Sequence, residues 1–176
     1  RLKLASGMKD SPLAKKIAKL VDVSSSSRLE VFNQYKKALE TQGDKIRGKE
    51  VFKTQCSACH QLEGVGKSVG ADLSAARSRG LESILLNIID PNREVKPAFV
   101  TYVVTMTSGK IITGMIASES ANSLTLWKAD HQNETILRNN IEEMRSTAIS
   151  FMPEGVEKNI SITAMADLLA YLDSIR

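Results

Sequence analysis

Apolar residues recur at helical spacing through the first quarter of the chain and predict two helices there. Ser11 followed by Pro12 is typical of a helix start, because serine caps the helix and proline fits its first turn. Four serines at 24–27 separate the two helices, and Gly43 ends the second one. We therefore expect residues 1–43 to form a helical appendage.

The next part of the chain predicts two further helices with a loop between them. Helical periodicity runs from about 44 to 54, and three glycines then make 61–73 a loop. A short helix follows at 81–89. It stops at Asp90-Pro91, because a residue that precedes proline avoids the helical conformation.

Beyond residue 97 the pattern changes to that of β-strands. Val, Thr and Tyr become frequent, and turn sequences such as 107–110 separate the apolar runs. These segments predict a small antiparallel unit over 98–146, and helical spacing returns at 163–175. The predicted strands are 99–106, 111–117, 123–128 and 134–138.

Composition narrows the classes of function. Of the 176 residues, 42% are hydrophobic and 25% are charged, as in globular domains rather than disordered chains. No apolar run approaches the ~20 residues of a membrane span, so we expect none. The net charge is +4, but aromatic residues make up only 5%, so a nucleic-acid platform is not predicted. The mild basic excess favours an acidic partner protein.

The chemically informative motif is the pentapeptide from Cys56 to His60, which has the form C-x-x-C-H. This spacing is typical of covalent haem c attachment. Both thiols can then bond to the vinyl groups of one haem, and the adjacent histidine lies beneath the iron as an axial ligand. The motif therefore predicts one haem c bound through Cys56 and Cys59, with His60 as a ligand.

Two other uses of this cysteine pair are considered. A thioredoxin-like redox pair is expected after a β-strand and before a helix, whereas here a helix precedes the pair and a glycine-rich loop follows it. A zinc site needs four ligands, and His131 is the one further Cys or His in the chain. Both alternatives fit the pattern less well than haem c.

The motif and the flanking helices resemble class I cytochromes c. In that family a glycine and an aromatic residue on the first helix pack against a leucine and an aromatic residue on the last. Gly48 and Phe52 match the first pair here, and Leu168 and Tyr171 match the second. Glycine allows two helices to approach closely. The resemblance implies a mainly α fold, with a class I cytochrome c core and the β unit inserted before the last loop.

One subgroup is more similar still. About 44–175 resembles the haem-binding modules at the C-terminal end of large secreted bacterial proteins, which are abundant in planctomycetes. Those proteins often carry a sugar-dehydrogenase-like domain, so the resemblance implies an upstream dehydrogenase domain or a redox partner protein as partner. The segments that carry the resemblance are 48–52, 56–60, 69–74, 89–91, 109–114, 151–155 and 166–172.

The resemblance also implies two further site residues. In the family a proline carbonyl accepts the ring N–H of the iron-binding histidine, and Ala71 stands at that position here. Alanine keeps the carbonyl but lacks the fixed φ of proline, so we expect a looser loop. Met152 stands where the family supplies its second iron ligand, just before the last helix, and Pro153 favours an extended backbone there.

Other side chains are weaker candidates for the sites. Most methionines fill cores, and a histidine in an exposed turn is ordinary. Arg77 and Arg79 are candidates to bind haem propionates, with solvated surface arginines as an equal alternative. Trp127 is expected to pack in the β unit rather than to shield a haem. The remaining alternatives for the second iron ligand are Met106, Met115, Met144, Met165 and His131.

These observations predict an electron carrier rather than an enzyme. The expected organisation is an appendage at 1–43 and a cytochrome c domain at 44–176 that contains the β insertion at 98–146. The alternative is a haem enzyme or gas sensor whose sixth iron position is open. Because haem c attachment belongs outside the cytoplasm, we expect a periplasmic or extracellular protein. The chain begins with Arg1, so we expect it to be a mature or excised piece.

Overall fold

Five α-helices and two antiparallel sheets build the part of the chain described by a computed structural model, residues 27–74 and 76–175. The predicted helix start at Ser11 lies outside these residues. In this described part no helix is long and apolar enough to cross a membrane. The helices are α1 (27–35), α2 (Lys37–Glu40), α3 (Lys45–Gln55), α4 (Leu81–Ile89) and α5 (Ile162–Ser174). The strands are β1 (Gln61–Leu62), β2 (Val65–Gly66), β3 (Val100–Met106), β4 (Ile111–Glu119), β5 (Ser123–Trp127), β6 (Asn133–Leu137) and β7 (Ile141–Ser150).

Helices α3 and α5 cross at Gly48. A Cβ atom at this position would lie 1.9 Å from the carbonyl oxygen of Asp167, so the approach of the two backbones requires glycine. Beside the crossing, the rings of Phe52 and Tyr171 pack with 5.8 Å between their centroids. Leu168 is fully buried in the same cluster. The predicted contact between the first and last helices of the core is therefore confirmed.

Polar side chains cap the N-termini of both crossing helices, and an ion pair links the two helices. The Asp44 carboxylate caps α3 by accepting two backbone N–H groups, and the Ser161 hydroxyl caps α5 by accepting the N–H of Ala164. Asp167 on α5 is only 4% exposed, and Nε of Arg47 lies 2.8 Å from its Oδ2 atom. The crossing thus has an apolar centre and a buried carboxylate that is paired with an arginine.

The main hydrophobic cluster includes residues of the predicted appendage. Phe32 of α1 and Ala38 of α2 are buried against the same cluster as Phe52 and Leu168. The described part of the appendage therefore packs onto the predicted cytochrome c domain. The domain boundary at residue 43 stays a prediction.

The five-stranded sheet has the strand order β6-β5-β4-β3-β7. Strands β3 to β6 form consecutive antiparallel hairpins, and β7 returns to pair with β3. Because successive strand residues face opposite sides, every second residue of β5 contributes to a separate small core. That core contains Val104, Ile112, Leu124, Leu126 and Ile136.

The expectation of a mainly α fold is wrong. Of the described residues, 40% are helical and 27% are strand, and the sheet is a principal element rather than a minor insertion. The difference lies mostly in β7, a ten-residue strand that we did not predict. Most of its side chains are exposed, so it lacks the apolar alternation that marks a half-buried strand. It forms because its backbone pairs with β3 across the sheet edge.

Candidate functional site

The pentapeptide from Cys56 to His60 continues the end of α3 as one further turn. The N–H groups of Cys56 and Ser57 donate to the carbonyl of Phe52, and those of Cys59 and His60 donate to the carbonyl of Cys56. These bonds are 2.9 to 3.1 Å long. Because the helix ends here, the turn brings the two cysteines and the histidine together on one short, hydrogen-bonded piece of backbone.

The imidazole of His60 is held by the loop that follows it. Its Nδ1 atom lies 2.8 Å from the carbonyl oxygen of Ala71, and a carbonyl can only accept, so Nδ1 carries the proton. A Cβ atom at Gly70 would lie 2.5 Å from Cε1 of the ring, so this glycine provides the space that the ring occupies. Burial lowers the pKa of His60. The ring is therefore a neutral imidazole with Nε2 available to a metal.

The loop between His60 and Ala71 folds back over the pentapeptide. It contains the hairpin of β1 and β2, and the N–H groups of Val69 and Gly70 donate to the carbonyl of Cys59. Gly66 has a φ of 93°, and a Cβ atom there would lie 2.2 Å from the carbonyl oxygen of His60. Two close contacts with His60 thus depend on glycines.

Glu63, at the tip of this hairpin, ties the loop to the crossing helices. Its Oε2 atom accepts from Nζ of Lys49 at 2.8 Å and from the hydroxyl of Tyr171 at 3.1 Å. Burial and the Glu63 carboxylate raise the pKa of Tyr171 to about 12. The carboxylate therefore joins the hairpin to both α3 and α5.

The two cysteines are free thiols and are partly buried. Burial raises the pKa of Cys56 to about 12 and also raises that of Cys59, although nearby Lys67 opposes the second shift. Reactive redox cysteines have lowered pKa values instead. The described residues also contain no group of three or more His, Cys, Asp or Glu side chains that could hold a metal ion. Neutral thiols beside a partly buried, oriented imidazole fit covalent haem attachment better than a redox pair or zinc.

Met152 lies on a loop between β7 and the turn that precedes α5. Asn92 holds this loop at two points, since its Oδ1 atom accepts the N–H of Ser150 at 2.8 Å and its Nδ2 atom donates to Glu154 at 2.6 Å. The carbonyl of Phe99 accepts the N–H of Phe151. Met152 itself is half-buried. Its role as an iron ligand stays a prediction.

The other methionines lie on regular elements. Met165 is fully buried in the main cluster, Met115 is buried on β4, and Met106 packs against the small core. Met144 is on β7, shortly after the 3-10 turn Arg138–Asn140, and its side chain is exposed. His131 is exposed in the turn between β5 and β6, with a φ of 63°.

Of the two arginines proposed for the propionates, the structure describes the side chain of Arg79. The side chain of Arg77 lies outside the described part of the structure. Nη2 of Arg79 lies 4.0 Å from Oε2 of Glu94, and half of the Arg79 side chain is exposed. A contact of this kind is a solvated surface pair. Propionate binding by Arg77 and Arg79 stays a prediction.

Trp127 connects the sheet to the attachment loop, a contact that the sequence did not indicate. It follows Leu126, which faces the small core, so its side chain faces the opposite side of the sheet. Nζ of Lys67 lies 5.5 Å from the centre of its ring. Its Nε1 atom is buried and has no hydrogen-bond partner within the described chain. Because Trp127 and Lys67 are far apart in sequence, no local sequence pattern predicts their contact.

A partly buried, oriented imidazole next to two neutral thiols is the arrangement of a protein that holds haem covalently. A family model for cytochrome c matches residues 46–176. Since the match spans most of the chain, the chain belongs to the cytochrome c family. Members of this family carry covalently bound haem c, as the pentapeptide predicted. No curated protein matches the chain.

Proposed function

We propose that this chain is an electron-transfer domain in which Cys56 and Cys59 hold one haem c and His60 and Met152 are the two axial ligands of its iron. The observation that carries the proposal is the contact between Nδ1 of His60 and the carbonyl of Ala71. It fixes the tautomer and the orientation of the ring, and it leaves Nε2 as the metal-binding nitrogen. No general base or nucleophile is needed for this role.

Electron transfer requires a ligand set that changes little between the two oxidation states. When bound, the haem supplies a one-electron couple between ferrous and ferric iron. Gly70 and Ala71 keep the His60 ring in one orientation, while Asn92 and Phe99 hold the backbone just before Met152. A thioether ligand favours ferrous iron and raises the reduction potential. The chain thus serves to position ligands and to exclude water.

We propose further that the domain works outside the cytoplasm as part of a larger redox protein. Two features support this. Thioether attachment belongs to the periplasm or the cell exterior, and the motifs of 44–175 resemble modules of secreted dehydrogenase-like proteins. The electron donor or acceptor would then be an upstream dehydrogenase domain or a separate redox protein. Cell fractionation after export of the full-length protein tests the location.

Absorption spectra of the purified holoprotein, oxidised and reduced, test the iron ligands. The variants are Met152→Ala and, as a matched control, Met144→Ala, because Met144 is an exposed methionine on β7. We expect a low-spin spectrum with a thioether band in the wild type and in Met144→Ala. Met152→Ala should be high-spin and should bind carbon monoxide at once.

Two results oppose the proposal. A wild type that is already high-spin and binds carbon monoxide indicates an open sixth position, as in a haem enzyme or gas sensor. A low-spin spectrum that persists unchanged in Met152→Ala assigns the second ligand to another residue. In both cases the haem attachment itself stands.

A further inference from the structure

Helices α1 and α2 precede the part of the chain that matches the cytochrome c family, which starts at residue 46. Helix α1 nevertheless contributes two polar side chains to the turn Val156–Asn159, which follows the Met152 loop. These side chains are Arg28 and Tyr35, both on α1. Their polar contacts join α1 to this turn.

Arg28 is a buried arginine that joins two segments of the core. It is only 8% exposed, and its guanidinium donates to the carbonyl of Ile89 at the end of α4 through Nε, at 2.8 Å, and through Nη2. A helix C-terminus has free carbonyls, so a cation is favourable there. Nη2 also lies 2.9 Å from Oε1 of Glu157. One side chain thus connects the end of α4 to the turn after Met152.

Glu157 depends on this arginine. The residue is 1% exposed, and its carboxylate oxygens have no hydrogen-bond partner among residues 27–74 and 76–175, so Arg28 supports it as an ion pair. A buried carboxylate without its cation is strongly unfavourable. If Arg28 were lost, the turn would have to move until Glu157 reached water.

Tyr35 holds the backbone of the same turn. Its hydroxyl lies 2.7 Å from the carbonyl oxygens of both Glu157 and Ile160, to which it donates. Tyr35 is two helical turns beyond Arg28, so the two side chains lie on one face of α1. This face of α1 therefore contacts the turn in two ways, through the carboxylate of Glu157 and through backbone carbonyls.

The segments that Arg28 and Tyr35 contact are connected to the two sides of the Met152 loop. Ile89 leads within three residues to Asn92, which binds Ser150 and Glu154 at the two sides of Met152. Glu157 follows Met152 by five residues, and only the left-handed Gly155 and its neighbours lie between. An anchor at Glu157 and another at Ile89 thus restrict how far the loop can move.

We propose that Arg28 and Tyr35 are positioning residues for Met152: by holding the turn 156–159 they keep the thioether on the iron. This rests on the proposed ligation by Met152. The residues do not touch the iron; they lower the fraction of molecules in which the loop is open. An added ligand binds only the open form, so its apparent affinity reports that fraction.

Titration of the ferric holoprotein with imidazole tests this, read from the loss of the thioether band. The variants are Arg28→Met and Tyr35→Phe. Arg47→Met is the matched control, because it removes an arginine from another buried carboxylate, Asp167, away from the Met152 loop. We expect imidazole to bind Arg28→Met at least about tenfold more tightly than the wild type. It should also bind Tyr35→Phe more tightly than the wild type, but by a smaller factor. Arg47→Met should bind imidazole as the wild type does.

The outcomes separate the two proposals. A wild type without a thioether band contradicts ligation by Met152. A wild type that has the band, with unchanged imidazole affinity in Arg28→Met, overturns the positioning role alone. An equal gain of affinity in Arg47→Met also overturns it, because the effect is then general destabilisation. If Arg28→Met does not yield folded holoprotein, Tyr35→Phe decides, since it removes one hydroxyl, and an unchanged affinity there contradicts the role.

Discussion

The ammonium group of Lys67 lies 5.5 Å from the centre of the Trp127 ring. Lys67 belongs to the loop that folds back over the pentapeptide, and Trp127 ends β5. This contact joins the attachment site to the sheet. The sheet therefore forms part of the surroundings of the site, and changes at Trp127 should affect the loop that carries Lys67.

Trp127→Phe and Trp127→Ala should differ clearly in the stability of the haem-free protein. The Nε1 atom has no partner in the described residues, so phenylalanine, which lacks it, should leave the stability of the haem-free protein nearly unchanged. Alanine removes the ring and should lower the free energy of unfolding by about 2 kcal/mol or more. Urea denaturation measures both. A large loss in Trp127→Phe without haem would show that the N–H has a partner.

Gly70→Ala should disturb the iron-binding histidine. The new Cβ atom would lie 2.5 Å from Cε1 of His60, so the ring or the loop must shift, at a cost of about 1–3 kcal/mol. We expect weaker ligation by His60, visible as a changed spectrum of the holoprotein. Ser68→Ala, at an exposed position of the same loop, is the control and should have no effect. A wild-type spectrum in Gly70→Ala contradicts the close contact.

Asp167 should make stability depend on pH. Hydrogen bonds from Arg47 are the main cause of its lowered pKa. Since the folded pKa lies below the unfolded value of about 4, the ionised carboxylate stabilises the fold above that pH. This stabilisation is lost as the pH falls through the folded pKa. The difference in free energy of unfolding between the wild type and Asp167→Asn should therefore become smaller in acid.

Urea denaturation at a series of pH values measures this difference. Glu142→Gln, at an exposed position of β7, controls for the general effect of losing a carboxylate. If the difference between wild type and Asp167→Asn stays constant from neutral pH down to full acid unfolding, the ion pair with Arg47 does not stabilise the fold.

Two variants of Tyr171 distinguish the contribution of ring packing from that of hydrogen bonding at the helix crossing. Tyr171→Phe removes the bond to Glu63, a half-exposed carboxylate, and should cost only about 0.5–1.5 kcal/mol. Tyr171→Ala removes the ring beside Phe52 and should cost about 3–5 kcal/mol. Thermal and urea denaturation give both values. Equal losses in the two variants would mean that the hydroxyl, rather than the ring, dominates.

Local features of the chain were predictable because neighbouring residues determine them. The pentapeptide forms within one turn, so its spacing alone indicates the attachment chemistry. Asp90-Pro91 ends α4 as expected, because proline restricts the residue before it. The strands β3 to β6 were predicted from runs of strand-forming residues separated by turn sequences, and β5 also from its alternating apolar residues.

Distant partners were not predictable. Strand β7 is mostly exposed and lacks an alternating apolar face, and it forms because its backbone pairs with the edge of β3. Asn92 is an ordinary loop residue in the sequence, yet it binds both sides of the Met152 loop. The same holds for Arg28, whose partner Glu157 is more than a hundred residues away.

The sequence by itself determined the cofactor class, through the spacing of Cys56, Cys59 and His60, and its resemblance to class I cytochromes c implied the helix crossing at Gly48. Tertiary structure alone decided which side chains hold His60 and the Met152 loop and how the sheet meets the attachment loop. The physical reason is the range of the interactions. Spacing within a turn follows from helix geometry, whereas buried pairs and strand edges find their partners only when the whole chain has folded.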